Sequence, residues 1–445
     1  MFNIVSHFFL FLLLIYFNGK VFIGLFKNSR LNLNHFEISV FGLIITSLIA
    51  QSLNFFFPLN NNILFLNFFL TLILIYFYQI KIPKIKFQKI ENVYYLFLIL
   101  VIISIYGSGF SDDLNHYHYS YINNTDNTNY IIGLSHMHWA FGNSSNWLIA
   151  HSYFNFDNSK LQDIHVLNGL IFFIVLGGLY YDFKKNIQSK KVVSLLTPIL
   201  LFIIIFTLLK YTRLKEFGID RPGFLLFYFL IVFYIKNFFF NVKSKITDDK
   251  IILLTYISIF LFFIKITFFF VGLIPIYYIF KYKRFKILYS YGFIAIYFFI
   301  ISYLIKNILI SGCLIYPVPF TCFEFLSWST KEIAEKWYFL NEVLNKSWYR
   351  YEGELKQHEY INNFNWLETW LKTTKIELIE FFITTFVSLL VAFISFKKNI
   401  KKNNISFIKV HNEILMVFAS IFVLSLIIFI YKIPVIRMSH YLFIL

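Results

Sequence analysis

The sequence predicts an all-α protein that crosses a membrane many times, and three observations indicate this fold class. Of its 445 residues, 58% are hydrophobic and only 14% are charged, whereas soluble domains contain about a quarter charged residues. The apolar residues form runs of about 15 to 25, close to the roughly 20 that a helix needs to cross the hydrocarbon. Lysine-rich segments separate many of these runs. The net charge of +17 is therefore attributed to cytoplasmic loops rather than to nucleic-acid binding.

Twelve apolar runs are candidate spans of a single polytopic membrane domain, residues 1–445. They cover residues 4–26, 36–57, 62–80, 92–107, 164–182, 192–209, 223–240, 250–264, 266–280, 287–306, 376–396 and 410–430. We expect a further span to begin near His440, which gives about 12 to 13 in all. The first run has no basic leader and no small-residue cleavage site, so it is predicted to be a retained helix.

Loop charge predicts the orientation, because Lys and Arg in short loops stay on the cytoplasmic side. With the N-terminus outside, the most lysine-rich loops all become cytoplasmic: 81–89, 184–191, 281–286 and 397–402. A first outer loop, 108–163, and a second outer loop, 307–375, then lie outside, and both are predicted to carry short helices. Residues 107–159 contain no Lys or Arg, as expected for an outer segment.

The first outer loop opens with GFSDDLNHYHYSY, residues 109–121, in which Asp112 and Asp113 follow the fourth apolar run. One acid is able to cap a helix, because Asp and Ser are common N-cap residues. A carboxylate beside hydrocarbon has a raised pKa, which suits a general base near neutral pH. Adjacent carboxylates also suit Mg²⁺ or Mn²⁺. The sequence therefore leaves the cofactor unknown. The candidates are Mg²⁺ and Mn²⁺, and either would bind at Asp112 and Asp113.

Four histidines of the same loop form two H-x-H pairs: His116 with His118, and His136 with His138. On a strand each pair would share a face and be able to chelate zinc. No cysteine or third ligand accompanies either pair, which favours hydrogen bonding to substrate or protein instead.

The loop continues as GLSHMHWAFGNSSNWLIAHSYF, residues 133–154. Its aromatic side chains suit stacking on sugar rings, and amides such as Asn143 suit sugar hydroxyls. The structural alternative is an interfacial half-helix with Trp139 and Trp147 in the aromatic belt of the membrane. The two readings are compatible.

Several cations lie on the outer side, where topology disfavours them. The most notable are Arg213 and Arg221 in the loop after the sixth run, Lys265 between two short apolar runs, and Arg437 near the C-terminus. Arginine grips phosphate with a planar fork, so these four residues together predict an outward anion site. The alternatives are an Asp220–Arg221 pair with Pro222 opening the next helix, and snorkelling of Lys265.

The two cysteines, Cys313 and Cys322, stand in the second outer loop, in CLIYPVPFTC. An oxidising compartment permits a disulfide there, but sequence spacing alone leaves the bridge undecided.

Four short patches carry a family resemblance: D-x-x-x-Y-H at 113–118, G-L-x-x-x-H-x-x-x-x-N-S-S at 133–145, S-G-x-x-x-Y-P at 311–317 and P-x-x-R at 434–437. In this order they resemble a bacterial membrane-protein family without an assigned function, which is itself similar to the GT-C class of membrane glycosyltransferases. In that class an extracytoplasmic acid acts as base or binds metal, and the donor is a polyprenyl-phosphate or polyprenyl-diphosphate sugar.

The resemblance implies a glycosyltransferase in the bacterial inner membrane that acts on a cell-surface glycan or lipid. Asp113, or Asp112, matches the acid, and Arg437 matches a basic residue near the donor phosphate. His116, His118, Asn143, Arg213, Arg221 and Lys265 complete the predicted substrate site. The expected partners are the bilayer, a polyprenyl-phosphate sugar and the acceptor. Two alternatives stay open: an O-antigen-type polymerase or ligase that uses outer arginines, and a transporter, whose charges lie nearer mid-membrane with repeat symmetry.

Overall fold

The computed structural model describes residues 2–26, 31, 33–77, 91–107, 113–156, 164–188, 196–210, 217–239 and 246–400, with three isolated positions beyond. For 391–400 the backbone alone is described. Within these residues the fold is all-α, as predicted, and its one β pairing is an isolated bridge between Cys313 and Cys322.

The described helices follow the predicted spans closely. They are α1 (Phe2–Gly24), α2 (His35–Leu53), α3 (Asn61–Phe77), α4 (Asn92–Tyr106), α5 (Tyr119–Asn127), α6 (Asn146–Tyr153), α7 (Val166–Gln188), α8 (Leu196–Leu209), α9 (Asp220–Tyr234), α10 (Asp248–Ile264), α11 (Leu273–Lys281), α12 (Tyr291–Ser311), α13 (Lys331–Asn345), α14 (Gln357–Ile361) and α15 (Leu367–Ile400). Five described segments are long and apolar enough to cross a membrane: Ile4–Gly24, His35–Leu53, Val166–Gln188, Asp220–Phe238 and Tyr291–Ser311. The predicted span 410–430 and the one near His440 lie outside the described residues.

Two helix boundaries differ from the sequence expectation. Helix α12 continues to Ser311 instead of ending at residue 306, because Gly312 adopts the left-handed conformation that closes the helix. Helix α15 begins at Leu367 instead of 376. Lys306 and Asn307 are therefore helical residues of α12 rather than the start of a loop.

Helices α1 and α2 are held in close contact by small residues. A Cβ atom on Gly42 would lie 1.8 Å from the Ile15 carbonyl oxygen, and one on Gly19 would lie 2.0 Å from the Ile38 carbonyl oxygen. Glycine at both positions lets the two backbones touch, which is a common device between helices in membranes. The start of α2 is fixed by a capping box between Asn34 and Glu37.

Polar contacts divide the helix ends into two groups. At the first, Lys236 just after α9 donates to Glu37 of α2 at 2.6 Å and to Asp182 of α7 at 2.8 Å. Arg284 also pairs there with Asp248, the first residue of α10. We call this group the Lys236 end. The opposite group, where α2, α10 and α12 end and α9 begins, is called the Lys306 end.

Substituting Lys236 by Met should destabilise the protein by about 3–5 kcal/mol, because it leaves two buried carboxylates facing each other without a cation. Asp182→Asn is the matched control, since it leaves one lysine paired with one glutamate and should cost much less. Thermal unfolding of the purified proteins in a neutral detergent measures both. Equal losses in the two variants would show that the carboxylates are not held by this lysine.

Candidate functional site

Residues 113–156, the described part of the segment predicted to be the first outer loop, form short helices at the Lys306 end. The names first and second outer loop are kept for the two predicted segments. Asp113 stands before a π-helical turn, Leu114–His118, which leads directly into α5. After α5 the chain turns at Gly133, whose positive φ of 72° is accessible to glycine at little cost. The Gly133 N–H donates to the Leu309 carbonyl of α12 at 2.8 Å. A glycine of the second patch therefore ties the loop to α12, a helix long and apolar enough to cross a membrane.

The loop and α12 are joined by further hydrogen bonds. The Ser135 hydroxyl donates to the Ile310 carbonyl at 2.8 Å, and the Ser144 hydroxyl donates to Asn307 Oδ1 at 3.0 Å. The Lys306 ammonium donates to the Ser144 carbonyl at 2.6 Å. We call Ser135, Ser144, Lys306 and Asn307 the Lys306 cluster. All four are buried, so the loop is held by polar contacts shielded from water.

Lys306 is the least expected member of this cluster, because its side chain is fully buried. Its ammonium lies 4.4 Å from the centre of the Tyr303 ring, close enough for a cation–π interaction. Its described partners are thus a carbonyl and an aromatic face, and no described carboxylate lies within ion-pair distance. Lys306 is therefore held at this end by a carbonyl and an aromatic face, without a described counterion.

The second outer loop packs onto the first at the same end. A Cβ atom on Gly142 would lie 2.7 Å from the Tyr316 ring, so the glycine makes room for that ring. The indole rings of Trp139 and Trp337 contact each other, which joins the first loop to α13. A disulfide links Cys313 and Cys322, with an S–S distance of 2.01 Å, and this decides the pairing that spacing left open. The patches at 113–118, 133–145 and 311–317 thus meet at one end.

A second charged group lies beside the Lys306 cluster. The Ser145 hydroxyl donates to the Ile264 carbonyl at the end of α10, and the next residue is Lys265. The Lys265 ammonium lies 2.5 Å from an Asp220 oxygen at the start of α9. Lys265 therefore has a counterion within the chain, and Asp220 pairs with it. Pro222 lies in the first turn of α9, as predicted.

Three buried histidines surround the ring of Phe217. The ring centres of His118, His151 and His165 lie 5.5, 4.5 and 5.6 Å from the Phe217 centre. Burial lowers the pKa of His118 to about 4, although the Asp220 carboxylate partly offsets this effect. Burial and the neighbouring His165 lower the pKa of His151 to about 3. His118 and His151 are therefore neutral at physiological pH.

The predicted site residues separate into exposed and buried groups. Asp113, His116 and Asn143 are exposed at the Lys306 end, where they are accessible to a substrate. His118 is buried beside Phe217, and Lys265 is paired with Asp220. Arg221 is half-buried and lines a cavity with Lys210, whose lining includes neither Asp113 nor Lys265. Three predicted residues lie outside the described part of the chain: Asp112, Arg213 and Arg437.

The metal hypotheses have different outcomes. His116 and His118 lie on a π-helical turn, so the strand geometry of the zinc hypothesis is not found for that pair. Among the residues that the structure describes, no group of three or more His, Cys, Asp or Glu is placed to hold a metal ion. A metal at Asp112 and Asp113 stays a prediction, because Asp112 is outside the described residues.

Sequence reasoning missed the residues that join the two loops. Lys306 was assigned to the last position of an apolar run, where a lysine normally reaches water. Ser144 was noted only as part of the patch at 133–145, and Asn307 only as the first residue of the second outer loop. The available signal was the apolar stretch after Lys306, Asn307–Ile310 with three apolar residues in four, which continues the helix by another turn.

Comparison with known proteins identifies a family but no activity. A family described as a domain of unknown function, DUF8201, matches residues 1–444. The chain belongs to this family. No curated protein and no solved structure matches the chain.

Lowering the pH from about 7 to about 5 should destabilise the protein through the buried histidines His118 and His151. The unfolded chain takes up protons near the ordinary histidine pKa of about 6.5, whereas folded His118 stays neutral down to about pH 4. The unfolded state then binds more protons, so stability falls as the pH drops through this window. Each such histidine contributes up to about 1.4 kcal/mol per pH unit.

Thermal unfolding at several pH values measures this effect. His118→Asn should make the pH dependence shallower, whereas exposed His116→Asn, the matched control, should retain the wild-type slope. A His118→Asn protein with an unchanged slope would show that His118 is not held neutral.

Proposed function

We propose, for this member of a family to which no function is assigned, that the chain is a GT-C-type membrane glycosyltransferase. It transfers a sugar from a polyprenyl-phosphate donor to a cell-surface glycan or lipid at the outer face of the bacterial inner membrane. The proposal includes 12 to 13 spans and an extracytoplasmic N-terminus. The observation that carries it is an exposed carboxylate, Asp113, in a loop that is fixed over the same helix ends as Lys265 and Lys306.

The position of Asp113 supports a role as general base. Asp113 is exposed, and buried His118 is five positions further along the chain, at the end of the π-helical turn. Even at the α-helical rise of about 1.5 Å per residue, this is at most roughly 7–8 Å. His118 in turn lies close enough to Asp220 for its pKa to respond, and Asp220 pairs with Lys265. The carboxylate and the cationic group therefore belong to one compact region.

The proposed reaction uses these groups as follows. The acceptor hydroxyl attacks the anomeric carbon of the donor sugar and gives its proton to the Asp113 carboxylate. The bond between that carbon and the phosphate oxygen breaks, and the oxygen leaves with the electron pair. Fixed positive charge stabilises the leaving phosphate, and Lys265, Arg221 and Arg437 are proposed to provide it. Exposed His116 and Asn143 are proposed to bind sugar hydroxyls.

Substituting Asp113 by Asn should reduce sugar transfer by about 10²- to 10⁴-fold, the usual contribution of a general base. The assay uses sealed right-side-out vesicles, with polyprenyl-phosphate monosaccharides supplied only outside, and measures release of the polyprenyl phosphate. Glu354→Gln is the matched control, because it removes an exposed carboxylate from the second outer loop and should retain full turnover. Repeating the assay with a chelator tests metal dependence.

Two outcomes would contradict the proposal. If Asp113→Asn transfers sugar as fast as the control, Asp113 is not the base. If Asp113→Asn is active and Arg221→Gln is inactive, a polymerase or ligase that relies on arginine explains the site better.

A further inference from the structure

A cavity between α7, α8 and α9 includes Arg221 in its lining but neither Asp113 nor Lys265. It is lined by Phe172 of α7, by Phe206, Thr207 and Lys210 at the end of α8, and by Arg221, Phe224, Leu225 and Tyr228 of α9. It is a small space that is partly open to the outside.

The polar residues of this cavity lie at one end. Lys210 directly follows α8, and Arg221 is the second residue of α9. Both charged lining residues are cations. Thr207 is more than nine-tenths buried, and its hydroxyl has no hydrogen-bond partner among the described residues. Two cations and an unsatisfied buried hydroxyl are a suitable set of donors for phosphate oxygens.

The remainder of the cavity is apolar. Tyr228 lies seven residues, or roughly 10 Å, further along α9 than Arg221. Phe172, Phe206, Phe224 and Leu225 line the wall over this depth. The cavity is therefore cationic beside the end of α8 and the start of α9, and it is hydrocarbon-like toward the middle of these helices. This is the polarity of a lipid with an anionic head and a hydrocarbon chain.

We propose that this cavity binds a lipid phosphodiester, with Arg221, Lys210 and the Thr207 hydroxyl holding the phosphate and the aromatic wall holding the first part of the chain. A glycerophospholipid of the bilayer and a polyprenyl phosphosugar both have this chemistry. The site does not depend on the proposed function, because a chain that transfers no sugar is still able to bind such a lipid.

Lys210 provides an additional test of the site, because it also pairs with Glu380 of α15. Glu380 is 41% exposed, so the pair contributes little to stability. The substitution Glu380→Gln removes the negative charge of Glu380. The Lys210 ammonium should then be available to bind the phosphate of the ligand. Binding should then become a few-fold tighter, whereas a purely structural role of these residues predicts no gain.

The experiment measures the affinity of the detergent-purified full chain for four probes: phosphatidylglycerol, a polyprenyl phosphoglucose, zwitterionic phosphatidylcholine and inorganic phosphate. At least one anionic lipid should bind more tightly than phosphatidylcholine and inorganic phosphate. Arg221→Gln should weaken that binding about tenfold or more, since a charge-assisted hydrogen bond is lost. Arg350→Gln, an exposed arginine of the second outer loop, is the matched control and should bind like the wild type.

The comparison of the two anionic lipids identifies the natural source. Tighter binding of phosphatidylglycerol indicates a bilayer lipid, and tighter binding of the phosphoglucose indicates a carrier lipid. Thr207→Val keeps the shape of the side chain and removes its hydroxyl, so it should weaken binding several-fold. This variant tests the site even if Arg221→Gln does not fold. Equal affinities of Arg221→Gln, Thr207→Val and wild type, or equal affinities for all lipids, would overturn the proposal. So would inorganic phosphate competing as strongly as the lipids.

Discussion

The hydrogen bond from the Lys306 ammonium to the Ser144 carbonyl is the interaction on which the Lys306 end depends. Moving an ammonium group out of water costs several kcal/mol unless its donors find acceptors. Lys306 has no exposed surface, and its described partners are this carbonyl at 2.6 Å and the face of Tyr303. Once α12 carries a lysine one turn before its end, the loop must supply an acceptor. The first outer loop is therefore fixed to α12 by an electrostatic requirement rather than by apolar area alone.

The remainder of that end follows from this constraint. With Ser144 fixed, its neighbour Ser145 meets the end of α10 at Ile264, which sets the place of Lys265. Gly142, two residues earlier, then faces Tyr316 and admits the second outer loop. Both loops thus take their positions from a few buried contacts. The exposed Asp113 directly precedes the π-helical turn of this anchored loop.

The helices could be predicted from the sequence, whereas the contacts between them could not. Long apolar runs give helices whatever their partners are, because backbone polar groups in a membrane must pair within the helix. Eleven of the twelve predicted runs coincide with described helices for this reason.

The helix boundaries were less predictable. Lys306 was interpreted as a helix end, because a lysine normally marks the membrane surface. Its burial depends on Ser144, which is 162 residues away in sequence. A pattern within one segment contains no information about such a partner. The same limitation explains why Asp220 was not recognised as the counterion of Lys265.

Hydrogen exchange in a Lys306→Met variant tests the central claim most directly. Methionine has a similar length and no donor, so the Ser144 carbonyl loses its partner while the volume is nearly kept. Exchange of amides in residues 133–145, including the Gly133 N–H, should become at least about tenfold faster, while α1 and α2 keep their protection. Lys346→Met, which removes another buried lysine in the second outer loop, should leave residues 133–145 unchanged. Wild-type exchange in this segment of the Lys306→Met protein would contradict the account, because the loop would then be held without the lysine.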